Sequence, residues 1–86
     1  MDIKNLIAII KNKLEVKIRF EKIDIQDKSF LHKNHKENKE GRFHIKLIIK
    51  SEELLKLNKI ERSKKVHKIL AFELKEYIHS IQILIS

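Results

Sequence analysis

The sequence contains no cysteine and no proline, and its only glycine is Gly41. Without cysteine, the chain cannot form disulfides, bind a metal through a thiolate or use a thiol as a nucleophile. Without proline and with a single glycine, it cannot be a collagen-like or linker-rich protein, and it lacks the glycine-rich loops that hold nucleotide phosphates. Several large classes of protein are therefore excluded at once.

Long hydrophobic runs are also missing. The longest one near the start is Leu6–Ile10, which is five residues long, whereas a helix that spans a membrane needs about 20 apolar residues. No small-residue cleavage pattern follows this run, so we do not expect a signal peptide. The sequence predicts a cytoplasmic protein that has no membrane partner.

Charged and aliphatic residues make up most of the sequence. Of the 86 residues 37% are charged and 42% are hydrophobic, and 20 Lys and Arg against 12 Asp and Glu give a formal net charge of +8. A second core would leave about 40 residues for each domain, which is too few, and the aliphatic content argues against disorder. We expect one domain over residues 1–86, whose charge permits a polyanionic partner without requiring one.

Hydrophobic periodicity in the first half of the chain predicts one helix and two strands. Apolar residues recur every three or four positions in a helix expected over 2–15, with Asp2 as its N-cap. Alternating apolar and polar residues predict strands over 20–26 and 43–50. The polar residues 27–41 between them predict a long loop, and long loops in small domains are often functional.

The second half of the chain predicts two helices and a final strand. Ser51, followed by two glutamates, is expected to cap a short helix that ends near Leu57. After a break at Asn58, a second helix is expected over 61–77, and the pattern alternates from Ile78 to the end. The order α-β-β-α-α-β predicts an α+β fold, with helices on one face of a three-stranded mixed sheet.

An ordered set of short motifs resembles the BolA family over nearly the whole chain. No single motif is specific, but their order and spacing match the family. They are Asp27-Lys28-Ser29, His32 and His35, Arg42-Phe43, Ser51, Arg62-Ser63-Lys64, Leu70-Ala71-Phe72-Glu73-Leu74 and Ile78-His79-Ser80. The resemblance implies a fold similar to the class II KH domain, a three-stranded mixed sheet covered on one side by helices.

The resemblance also implies two functions. The first is an adaptor that forms a heterodimer with a monothiol glutaredoxin and holds or transfers a bridging [2Fe-2S] cluster in iron–sulfur and iron homeostasis. The second is nucleic-acid binding as a transcriptional regulator in stress response. In the cluster complexes the family's ligands match His79, at the start of the last strand, and a loop histidine, His32 by its spacing from Ser29 or His35 as the alternative.

Two departures from the family pattern limit what can be carried over. Ser63 stands at the centre of a motif that commonly reads Arg-His-Arg, and Arg42 stands where the family usually has His before Phe. No role of those two family histidines therefore applies to this chain.

Imidazole is the ligand that this chain offers for the iron of such a cluster. Neutral imidazole binds iron, and two His ligands on one iron occur in Rieske centres. Because the chain has no thiolate, glutaredoxin and glutathione would supply the sulfur ligands, and the chain alone is expected to hold no cofactor. Of the remaining histidines, His44 alternates with Lys46 and is predicted at the surface. His67 lies among lysines and is predicted to be solvated or to form part of an anion-binding patch.

A second candidate site is basic. Between residues 56 and 68 the only acidic residue is Glu61, and the basic residues are Lys56, Lys59, Arg62, Lys64, Lys65 and Lys68. Such charges can contact phosphates. The chain has no GXXG loop and no aromatic stacking platform, so any DNA binding is expected to be weak and salt-sensitive.

Catalytic motifs are not evident. The serines lack the glycines of a nucleophile elbow, and no motif places an acid–base pair. We therefore do not expect an enzyme.

Overall fold

The computed structural model describes residues 2–29 and 42–86, and that part of the chain forms four helices and three strands. The elements are α1 (Ile3–Lys17), β1 (Lys22–Asp27), β2 (Phe43–Lys50), α2 (Glu52–Leu55), α3 (Lys59–Ile69), α4 (Ala71–Glu76) and β3 (Ile78–Ile85). The predicted α+β class is confirmed, and β3 begins at the predicted residue. None of the helices in the described residues is long and apolar enough to cross a bilayer.

The strands form one mixed sheet in the order β1-β2-β3. β1 pairs with β2 antiparallel, and β2 pairs with β3 parallel. The parallel pair follows from the connection, because a chain that passes through helices before it returns to the sheet can enter in the same direction. At the far end of β3, the N–H of Ser86 donates to the carbonyl of Ile49 at 2.9 Å, and the N–H of Ser51 donates to the carbonyl of Ser86 at 2.9 Å.

The hydrophobic core lies between the helices and one face of the sheet. Ile45, Leu47 and Ile49 of the central strand are buried, because alternate residues of a strand point to the same face. The helices cover this face with side chains at helical spacing, which are Leu6, Ile10 and Leu14 of α1, Leu54 of α2, Val66 of α3 and the adjoining Leu70. Full burial of one such side chain contributes roughly 1.5–3 kcal/mol.

Side-chain caps fix where the helices begin. Oδ1 of Asp2 accepts a hydrogen bond from the N–H of Asn5 at 2.8 Å, and Oγ of Ser51 accepts one from the N–H of Leu54 at 3.2 Å. Both predicted caps are therefore confirmed. Oδ1 of Asn58, where we expected only a break, accepts from the N–H of Glu61 at 2.8 Å and starts α3 two residues earlier than predicted.

The single helix predicted over 61–77 is wrong, because it is two helices. Leu70 separates α3 from α4 with φ −100° and ψ 17°, outside helical geometry. Its side chain nevertheless remains fully buried, so the apolar spacing runs through the break without a change. Periodicity reports which side chains face the core, and it does not report the dihedral angles of one residue.

One ion pair joins the first helix to the last. Nζ of Lys13 in α1 lies 2.6 Å from Oε2 of Glu73 in α4, and Glu73 is only 2% exposed. The other carboxylate oxygen, Oε1, is buried and has no hydrogen-bond partner among the described residues. The ammonium group of Lys13 therefore compensates the negative charge of the buried Glu73 carboxylate.

We expect Lys13→Ala to be more destabilising than Glu73→Leu. The first change leaves a buried carboxylate without a cation and should lower the free energy of unfolding by about 1–3 kcal/mol. The second removes the charge and keeps an apolar side chain of similar volume, which is often neutral for a buried pair. Urea unfolding of the two variants checks this, and a larger loss for Glu73→Leu would contradict it.

Ser51 joins α2 to the segment that follows α1. Its buried hydroxyl donates to the carbonyl of Arg19 at 2.6 Å and accepts from the N–H of Leu54. Ser51→Ala should lower the free energy of unfolding by about 1–3 kcal/mol, because both groups lose their partner. Ser86→Ala is the matched control, since that exposed side chain bonds to no described residue. Equal losses in urea unfolding would contradict this account.

Candidate functional site

His79 lies where the pairing of two strands is irregular. Phe43 pairs with Ile78 and His44 pairs with Ser80, so the register shifts by one residue and His79 is the extra residue in β3. An extra residue of this kind forms a β-bulge, which re-aims side chains and often lies beside active sites. The side chain of His79 is exposed, although the preceding Ile78 is buried.

His44 lies beside His79 and is buried, which corrects the sequence prediction. It is 7% exposed, whereas its alternation with Lys46 predicted a surface position. Its Nδ1 lies 2.7 Å from Oγ of Ser80, and its ring centroid lies 4.9 Å from that of His79, with the ring planes inclined by 46°. The alternation correctly places the side chain of His44 on the face of the sheet opposite the core. The prediction failed because β2 is the central strand, so its side chains have neighbours on both sides.

The segment that follows β1 is hydrogen-bonded to β2 at His44. Oδ1 of Asp27 accepts from the N–H of Ser29 at 2.9 Å, and Oγ of Ser29 accepts from the N–H of His44 at 3.0 Å. The N–H of Lys28 donates to the carbonyl of His44 at 2.7 Å. The motif at residues 27–29 therefore holds the chain against β2 immediately before the segment that carries the predicted loop ligands.

Three of the five histidines lie in the described residues, and two of them come together. His44 and His79 are neighbours, whereas His67 is exposed on α3, with its Nδ1 2.7 Å from the carbonyl oxygen of Ser63. The exposure of His67 agrees with its predicted place at the surface, and an anion-binding role stays a prediction. His32 and His35 lie outside the described residues. Residues 2–29 and 42–86 contain no group of three or more side chains suited to holding a metal ion.

The basic residues predicted as an alternative nucleic-acid site do not share one face of α3. Lys65 and Lys68 face α1 across a groove, whereas Lys59 and Arg62 line a concavity with the end of β3, and Lys64 is exposed. Nε of Arg62 donates to the carbonyl of Leu57 at 2.8 Å, in the turn that follows α2. DNA binding by this set stays a prediction.

Comparison with known proteins identifies the family. The family model described as BolA-like protein matches residues 14–86.

The chain belongs to the BolA-like family.

Solved BolA structures have the same fold as this BolA-like chain. BolA1 from Arabidopsis thaliana is 22% identical, with a TM-score of 0.77 over 92% of this chain and 87% of that one. The BolA domain of SufE1 from Arabidopsis thaliana is 22% identical, with a TM-score of 0.78 over 100% and 93%. BolA1 from Mus musculus is 23% identical, with a TM-score of 0.71 over 90% and 60%. No curated protein matches the chain. The resemblance seen in the sequence is therefore confirmed for family and fold.

His44 and Ser80 were not predicted as members of this site. A usable signal was present in the sequence, because its patterns predict that β2 and β3 begin near residues 43 and 78 and belong to a mixed sheet. Parallel strands that begin side by side bring their first residues together. Aligning the two strand starts would have placed His44 next to residues 79 and 80.

We expect diethyl pyrocarbonate to distinguish the two neighbouring histidines. The reagent acylates accessible neutral imidazole, so His79 and His67 should react at similar rates and His44 at least several-fold more slowly. Peptide mapping by mass spectrometry measures each rate separately, and His67 serves as the exposed reference. Equal rates for His44 and His79 would contradict the burial described above.

Proposed function

We propose that this BolA-like chain is a cytoplasmic, non-enzymatic adaptor for a monothiol glutaredoxin. In the heterodimer it would hold or pass on a [2Fe-2S] cluster, which is its cargo and not a resident cofactor. The observation that carries the proposal is the position of His79, an exposed imidazole at a bulge in β3, beside the His44 to which the segment after β1 is hydrogen-bonded.

The donor chemistry of the chain fits a shared cluster. Iron–sulfur clusters are bound mainly by thiolates, and imidazole replaces thiolate on one iron in Rieske centres. This chain has no cysteine, so a cysteine of glutaredoxin and the thiol of glutathione would bind one iron. Imidazoles of this chain would bind the other iron, and the exposure of His79 leaves its ring accessible to a partner.

The second ligand in this proposal is His32, with His35 as the alternative. Ser29 is hydrogen-bonded to β2 beside the histidine pair, and only two residues of sequence separate Ser29 from His32. His44, the other described imidazole near His79, has its Nδ1 at hydrogen-bond distance from Ser80 and is enclosed. We therefore assign the ligand role to His79 and a loop histidine, and not to His44.

Visible circular dichroism tests the proposal. Addition of the protein to cluster-loaded monothiol glutaredoxin should change the spectrum, because replacing ligands on one iron changes the asymmetry around the cluster. His79→Ala should abolish the change, and His67→Ala should retain it, since both residues are exposed and only one lies at the site. His32→Ala and His35→Ala made separately identify the loop ligand.

Two results would overturn the proposal. One is a spectrum that the unaltered protein does not change, and the other is a change that persists with His79→Ala. Misfolding is excluded by urea unfolding, because substitution of an exposed side chain is expected to alter the free energy of unfolding by less than about 0.5 kcal/mol.

A further inference from the structure

A groove of about 760 Å³ lies between α1 and α3 and shares no residue with the histidine site. We call it the α1–α3 groove. Val16 and Ile69 provide its apolar part, Lys13 and Lys17 line it from α1, and Lys65 and Lys68 line it from α3. Its volume is in the range of sites that bind ligands or peptide side chains.

The apolar part of the groove is open to solvent. Val16 is 79% exposed on the last turn of α1, where a polar residue would be better solvated. Phe72 is also exposed, and Nζ of Lys13 lies 5.7 Å from the centroid of its ring, so another exposed apolar side chain lies near one of the groove's lysines. Contiguous exposed apolar surface with a polar rim is typical of interaction sites.

The lysines form two rows on opposite sides of this surface. Lys13 and Lys17 are four residues apart on α1, and Lys65 and Lys68 are three apart on α3, so each pair projects from one side of its helix. Nζ of Lys13 pairs with Glu73, and Nζ of Lys65 lies 3.7 Å from Oε2 of Glu53.

The two remaining ammonium groups give the groove its excess positive charge. Lys17 and Lys68 are exposed and form no ion pair with a described residue. A ligand that complements both rows must therefore be anionic on its two flanks and apolar along its centre.

We propose that the α1–α3 groove docks an acidic amphipathic helix of a protein partner. Helices of this kind place apolar side chains, spaced three and four residues apart, into a groove between two helices. Glutamates on their flanks would meet the two rows of lysines, which favours orientation and rapid association. DNA is less suited, because its charged phosphates make no favourable contact with the apolar side chains of Val16 and Ile69. A membrane surface is less suited, because the apolar residues line a concavity.

A synthetic peptide provides the probe. We would use a fluorescent peptide of about 16 residues, long enough to approach helicity in isolation, with leucine along one face and glutamate on both flanks. Fluorescence anisotropy should show saturable binding that weakens by roughly tenfold between low and physiological salt, because exposed charges are screened. A scrambled peptide of identical composition keeps the charge and loses the apolar face, so it should bind at least about fivefold more weakly.

Charge-reversal variants test the lysine rows. Lys17→Glu with Lys68→Glu should weaken binding of the peptide by at least about tenfold. Lys11→Glu with Lys64→Glu is the matched control, because it makes the same change of charge at exposed positions of the same two helices, outside the groove. This control should stay within about threefold of the unaltered protein, since screened charges act weakly at a distance.

Polar variants test the apolar part. Val16→Ser should weaken binding by about fivefold, because one aliphatic side chain then no longer meets the leucine face. Ile60→Ser is the control, since Ile60 is 67% exposed on α3 and does not line the groove. Both substitutions are at exposed sites and should leave the fold intact.

Three outcomes would overturn the proposal. They are equal binding of the scrambled peptide, equal weakening by the two charge-reversal pairs, and binding to phosphatidylglycerol vesicles that depends on Lys17 and Lys68 while the peptide does not bind. His79→Ala should leave binding of the peptide unchanged, so a failure here is distinct from a failure of the cluster proposal.

Discussion

The parallel pairing of β2 with β3 is the constraint from which both candidate surfaces arise. Parallel strands cannot be joined by a short turn, so residues 51–77 must cross over the sheet, and they do so as three helices on one face. The same pairing brings the starts of the two strands together, and the one-residue shift at that point exposes His79 beside His44. The crossover also sets α3 next to α1, which creates the groove between them.

Several residues of the family motifs serve folding. Ser51 caps α2 and holds the carbonyl of Arg19. Leu70 fills the core at the break between α3 and α4, and Glu73 pairs with Lys13. Of the residues that carry the resemblance and lie in the described chain, His79 is the one whose exposure at an irregular position has no evident structural purpose. This contrast is why the proposal of cluster binding rests on His79.

The sequence predicted the order of the elements apart from the division of the last helix, and it predicted the caps at Asp2 and Ser51 and the start of β3, because these features depend on local patterns. It could not predict the break at Leu70, which leaves the apolar spacing intact. It also could not predict the burial of His44, because alternation identifies a face of the sheet and not the side chains that flank a position on that face. The resemblance pointed to His79, whereas the contacts of His44 with Ser29, His79 and Ser80 depend on how the strands pair.

The hydrogen bonds that join Ser86 to Ile49 and Ser51 have a practical consequence. Because β3 is extended, the seven residues from His79 to Ile85 span about 20 Å, and the carboxyl end of the strand lies at the opposite end of the sheet. A dye or affinity handle attached to the side chain of residue 86 would thus lie at the end of the sheet opposite the imidazoles. The far end of this strand is a natural point of attachment for surface immobilisation, with the histidine end left facing the solution.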